Sequence, residues 1–143
     1  MKMPTPDQST IDQRKSLISG FSRIVGSENV ISDDTSLRTY DSDGLTAYKQ
    51  MPMLVVLPGS TKEISEVMRF CGKRKVKIVP RGAGTSLSGG TLPLADGVTI
   101  GTGRLNKILE VDYHNRCAVV QPGVRNLAIS EITDAEGFFY APD

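Results

Sequence analysis

Half of the fourteen glycines in this 143-residue chain fall between positions 82 and 103, and that clustering constrains the fold more than any other feature. They are densest in Val79-Pro80-Arg81-Gly82-Ala83-Gly84-Thr85-Ser86-Leu87-Ser88-Gly89-Gly90. Glycine lets the backbone reach positive φ and approach a ligand closely, so this stretch reads as a loop. Across 78–103 the charged side chains are Arg81 and Asp96 alone. A loop so poor in charge offers mainly its backbone N–H groups, which in succession form an anion-holding nest. Thr85, Ser86 and Ser88 add hydroxyl donors.

Known phosphate loops can be compared with this text. A Walker A loop needs a lysine after its last glycine, and none follows Gly84, Gly89 or Gly90. A dinucleotide fingerprint begins at Gly82-Ala83-Gly84, but Leu87 stands where the third glycine belongs. Thr91-Leu92-Pro93-Leu94 then brings a proline and no helical stripe, so no helix N-terminus is available. Two readings stay open on the residues: a pyrophosphate cradle that works through backbone donors, and a plain glycine-rich connection between strands. Arg81 fits either a phosphate contact or a loop-fixing role.

Around the loop the pattern alternates between strands and helices. Apolar runs at 53–57, 76–79, 97–101, 108–111 and 117–121, bounded by Pro or Gly, predict strands covered on both faces. Thr10 with Gln13 predicts a capping box ahead of the stripe Leu17, Ile18, Phe21, Ile24 and Val25, with Gly26 as the stop. Ser60 with Glu63 predicts another, ahead of Ile64, Val67, Met68 and Cys71. A third helix is expected over about 125–136, with Leu127, Ala128, Ile132 and Ala135 inward and Gly137 ending it. Residues 31–50 read as irregular connection, with Asp41 and Asp43 in a turn. The order of elements indicates α/β or α+β packing.

Composition excludes several classes. Seventeen Lys plus Arg against sixteen Asp plus Glu leave +1, without the basic footprint of a nucleic-acid binder. No apolar run approaches a transmembrane span, and the first residues carry no apolar signal core. The one histidine, His114, excludes multi-histidine metal sites and sits in a turn-like context. Cys71 and Cys117 form no disulfide framework, are expected in the core, and make a reducing cytoplasm the default.

Three ordered motifs carry a family resemblance: Leu54 to Ile64, Val79 to Gly90, and Val119-Val120-Gln121-Pro122-Gly123-Val124. Together they resemble the FAD-binding domain of FAD-linked oxidases of the vanillyl-alcohol-oxidase or p-cresol-methylhydroxylase type. Within it, the runs Pro80 to Gly90, Gln121 to Ser130 and Tyr140 to Asp143 resemble the catalytic flavoprotein subunits of glycolate oxidases, beside D-lactate and D-2-hydroxyglutarate dehydrogenases. The resemblance runs from about Ile11 to Asp143.

The resemblance implies an α+β fold of small α/β sandwich subdomains clamping FAD, and oxidation of a 2-hydroxy acid in the intact enzyme. It implies residues 1–50 as a helix with irregular lead-in and 51–143 as the FAD-binding domain. The implied cofactor-binding residues are Pro80, Arg81, Gly82, Ala83, Gly84, Thr85, Ser86, Leu87, Ser88, Gly89 and Gly90, with Pro142 and Asp143. The Pro58 and Pro122-Gly123 turns line the cofactor's flank, and Tyr140 starts a segment that approaches the flavin or packs. Thr85 stands where covalently flavinylated relatives carry histidine, so FAD is expected without a covalent link. The chain is expected to be an N-terminal fragment, incomplete at its C-terminus and lacking the cap domain, with no catalytic residue, no metal site and no activity alone. Iron–sulfur and other flavoprotein subunits are possible partners on the same resemblance. The alternative from another class is a non-catalytic relic that binds no flavin.

Overall fold

The computed structural model describes residues 3–141, so Pro142 and Asp143 lie outside the described residues. The sheet is built from Val30–Ile31 (β1), Leu54–Val56 (β2), Lys77–Arg81 (β3) and Gly97–Gly101 (β4), in the order β1-β2-β4-β3. β4 pairs in parallel with both β2 and β3, and β1 closes the other edge antiparallel to β2. Ile31 of β1 and the short helix Asp34–Leu37 (α3) fall within the stretch 31–50 expected to be irregular. Two residues are too few to show a period in sequence.

The helix Thr61–Arg74 (α4) connects β2 to β3. Ser60 caps it by accepting from the Glu63 N–H at 3.1 Å, while the Glu63 carboxylate reaches back to the Gly59 N–H at 2.8 Å. The expected capping box therefore forms, closed one residue earlier than the standard pattern. The helix Arg14–Val25 (α2) ends at Gly26 as expected. Its predicted cap does not form. The preceding short helix Gln8–Asp12 (α1) is capped by Asp7, whose carboxylate accepts from the Ser9 N–H and the Thr10 hydroxyl. A carboxylate placed before the turn takes the Thr10 hydroxyl that the sequence pattern assigns to capping.

Leu17, Phe21 and Val25 of α2 and Val67 and Cys71 of α4 bury one face of the sheet against Leu54, Val56, Val98 and Ile100. The N-terminal helix thus shares the core with β2 and β4. Alternation puts Val55, Thr99 and Val79 on the opposite face, in register across β2, β4 and β3. All three are buried, so β2 and β4 are covered on both faces as expected. β3, an edge strand, exposes Lys77 and Pro80; its proline is tolerated there because an edge leaves N–H positions unpaired.

Among the described residues, the Thr99 hydroxyl is buried without a partner between two valines. An unsatisfied buried hydroxyl costs roughly 1–3 kcal/mol, whereas an apolar isostere carries no such penalty. Thr99→Val is therefore expected to raise stability by about 1 kcal/mol, read as a higher midpoint in urea unfolding. A lowered midpoint would show that the hydroxyl has a partner.

Ile108–Asp112 (β5) and Cys117–Val120 (β6) form a separate antiparallel hairpin. Its turn is fixed by Asp112, which accepts from the Asn115 N–H and side-chain amide. Both strands are half exposed, contrary to the expected two-sided cover, and Cys117 is exposed instead of in the core. Nothing among the described residues covers the outer face of this two-stranded ribbon. Cys71 is buried as expected, and burial pushes its thiol up to about 11.

The last helix, Asn126–Thr133 (α5), buries Ile129 and Thr133. Leu127, Ile132 and Ala135, expected inward, are exposed, as is Met68 of α4. These helices are covered along narrower faces than their apolar stripes suggest. Gly137 ends the helical turn after α5 with φ +74°. Asp96 pins α1 to the sheet by accepting from the Asp7 N–H at 2.7 Å and from Lys77 Nζ at 2.6 Å. Burial alone would raise its carboxyl pKa, but these donors outweigh it and hold the group below the usual carboxylate range. No helix among the described residues is long and apolar enough to cross a membrane.

Candidate functional site

Because β2, β3 and β4 are parallel, the turns that follow them leave from one edge of the sheet. Those turns are residues 57–60, 82–90 and 102–105. The carboxyl edge of a parallel sheet is the general location of ligand sites in such folds. Cross-bonds join the turns into a rim. Arg104 donates to the Leu57 carbonyl at 2.7 Å and lies 3.8 Å from the Glu63 carboxylate. The Thr102 N–H donates to the Arg81 carbonyl at 3.0 Å. The Gly123 N–H donates to the Leu105 carbonyl at 2.8 Å, which brings the Pro122-Gly123 turn into the same rim. A cavity of about 280 Å³ opens beside it, between Gly103, Asn106, Gly123 and Arg125.

The glycine loop itself is shaped from below. Gly84 adopts φ +77°, a conformation in which a Cβ is strained, and its Cβ position is filled by the Arg81 guanidinium. Arg81 donates to the Ser42 carbonyl at 2.7 Å and stands over the Tyr40 ring, 5.5 Å from its centroid. The loop-fixing option left open by sequence is the one its contacts express. Asp43, at 5% exposure, accepts from the Gly89 N–H at 2.9 Å and from the Leu45 N–H at 3.0 Å. The turn expected at Asp43 is present, and its side chain also reaches the glycine loop, which sequence reasoning missed. The Asp43-Gly44 pair signals a turn, but nothing local announces a partner 46 residues away.

Other groups in the loop remain available. Among the described residues, no acceptor takes the backbone N–H groups of Gly82, Ala83, Gly84, Thr85, Ser86, Leu87 or Gly90. A Cβ on Gly82 would meet no protein atom within 4 Å, so that side of the loop faces open space. Thr85, Leu87 and Ser88 are exposed. The Thr91 hydroxyl, just after the loop, is buried without a partner among the described residues. Successive unpaired N–H groups around positive-φ glycine fit an anionic diphosphate with no cationic side chain required.

Two other candidates lie elsewhere. His114 is exposed in the β5–β6 turn, as its sequence context indicates. Tyr140 is held by its N–H on the Ser130 hydroxyl at 3.0 Å and lines a cavity of about 230 Å³ with Val111, Cys117 and Phe138. No residue of the loop 80–90 lines that cavity.

The fold and the rim together match a known class. The family model described as "FAD binding domain" matches residues 52–143, and the chain belongs to that family. FAD is accordingly its cofactor. The backbone superposes on p-cresol methylhydroxylase with a TM-score of 0.77 at 20% identity, over 94% of this chain and 26% of that one, which shows the shared fold. The α+β fold of that enzyme type, expected from the motifs, is the fold observed. In sequence the chain is 41% identical over 130 residues to the glycolate oxidase subunit GlcD of Escherichia coli, covering 91% of this chain and 26% of that protein. It is 33% identical over 135 residues to the mitochondrial D-2-hydroxyglutarate dehydrogenase of Arabidopsis thaliana, covering 94% of this chain and 24% of that protein. The chain thus spans about a quarter of the length of these relatives.

Proposed function

We propose that this chain is the FAD-binding portion of a flavin-dependent oxidoreductase acting on a 2-hydroxy acid, with glycolate as the leading substrate. The observation that carries the reading is the row of unpaired N–H groups in 82–87, set on the carboxyl edge of a parallel sheet in a member of the FAD-binding family. FAD supplies the two-electron acceptor for the hydroxyl-bearing carbon. The chain's own part is to bind and orient it. The backbone of 82–87 and Gly90 and the Thr85, Ser86 and Ser88 hydroxyls present donors to the diphosphate, while Pro80, Arg81 and Gly89 hold the loop in shape. The Pro58 and Pro122-Gly123 turns flank the cofactor, and Pro142 and Asp143, outside the described residues, are assigned to it on the family resemblance alone. Residues 51–143 are assigned to the cofactor domain, with 1–50 as a lead-in that packs α2 and β1 into the same core.

D-2-hydroxyglutarate is the second substrate reading, on the similarity to the plant dehydrogenase. Partner subunits, an iron–sulfur protein among them, suit an enzyme whose bacterial relative is named as a subunit. A cytoplasmic location accords with two unpaired cysteines.

Titration of the purified chain into FAD tests the binding claim. Saturable quenching of flavin fluorescence is expected, and no change at any protein concentration would leave the chain a non-binding relic. Thr85 offers no nucleophile of the histidine kind, so the bound flavin is expected in the supernatant after acid precipitation. Fluorescence pelleting with the denatured polypeptide would overturn non-covalent binding.

A further inference from the structure

We infer that residues 40–45 act as a brace that presets the glycine loop for the diphosphate, with Asp43 as its positioning residue; this rests on the cofactor reading above. The brace lies before the segment that the FAD-binding family model covers.

The brace grips the loop at both ends and in the middle. At the start, Arg81 is anchored to the Ser42 carbonyl and the Tyr40 ring, and its guanidinium fills the space under Gly84. In the middle, Gly44 lies so close that a Cβ there would come within 2.9 Å of the Thr85 carbonyl oxygen and 3.1 Å of that of Ser86. At the far end, the Asp43 carboxylate takes the Gly89 N–H.

Asp43 is the costly member of this set. The ion pairs among the described residues are Lys77–Asp96 and Arg104–Glu63, so backbone donors alone hold the buried Asp43 carboxylate. A buried carboxylate without a cation is retained only where its hydrogen bonds compensate, and such charge-assisted bonds are the strong ones. Gly89 is thereby removed from the donors open to the cofactor, and the loop's glycine-rich backbone is ordered before the ligand arrives. Ordering in advance lowers the entropy that binding must otherwise overcome.

The test uses Asp43→Ala and Asp43→Asn in the full chain, with amide hydrogen exchange and FAD and ADP titrations. In Asp43→Ala, exchange at 86–90 is expected to accelerate while amides of β2 and β4 stay protected. Affinity for FAD and for ADP is expected to fall about tenfold in parallel, the scale of one charge-assisted bond. Asp43→Asn, which keeps one acceptor oxygen without the charge, is expected between the two. Unchanged loop exchange overturns the brace. Faster loop exchange with unchanged FAD affinity overturns the positioning role, and so does an equal loss of protection in β2 and β4, which marks general destabilisation. Failure of the unaltered chain to bind FAD overturns the cofactor reading and the positioning role together, and it is seen before any variant is compared.

Discussion

Gly84→Val is expected to weaken FAD binding about a hundredfold while leaving the chain folded. Two physical effects add. A side chain in the left-handed region costs roughly 1–2 kcal/mol, and β-branching makes that conformation harder still. The new Cβ would also overlap the Arg81 guanidinium. Arg81 could yield only by releasing the Ser42 carbonyl and the Tyr40 ring, and a hydrogen bond to a charged group is worth roughly 1.5–3 kcal/mol. Together these reach about 3 kcal/mol, or two decades in affinity. Gly82→Ala is the informative companion, because its Cβ would meet no protein atom within 4 Å. Loss of affinity there would report contact with the ligand itself. Fluorescence titration beside far-UV circular dichroism reads both variants. Equal FAD affinity in Gly84→Val and the unaltered chain would refute the assignment of this loop.

Phe21→Ala is expected to destabilise the protein by about 3–5 kcal/mol. Phe21 is fully buried on α2 and meets the Phe70 ring of α4 edge-on, with centroids 5.1 Å apart. Removing it opens a cavity between the two helices that cover the sheet, and Gly20 beside it has no side chain to fill the space. Against a typical total of about 5–15 kcal/mol, that loss brings the chain close to unfolding at room temperature. The urea midpoint measures it. A change below about 1 kcal/mol would mean that α2 is peripheral to the core instead of part of it.

What the sequence made legible was local. Val98 and Ile100 in a run bounded by glycines, Ser60 with Glu63, and Gly26 after an apolar stripe each carry their structural reason within a few residues. The glycine loop was legible for the same cause: a stretch that gives up its side chains for backbone freedom announces itself within a few residues. The supports of that loop were not. Ser42 and Asp43 reach it across 39 and 46 residues, and no spacing rule covers such contacts. Burial at Leu127, Ile132 and Cys117 misled for a related reason. Apolar periodicity shows which face could be covered, but only a neighbouring element decides whether it is.

The position of β4 in the sheet has a consequence for the order of assembly. β2 and β3 come first along the chain, yet they do not pair with each other; each pairs with β4, which lies between them. A nascent chain that has emerged only as far as Gly90 holds α4 and both outer parallel strands, but neither strand has its parallel partner. The sheet closes when residues 97–101 insert, in one event that satisfies two rows of backbone groups together. Such non-local closure is the slow kind, since chain entropy is lost before the contacts reward it. Residues 82–90 belong to the connection that must fold back for this insertion. The glycine loop and the sheet edge that carries it therefore mature in the same step.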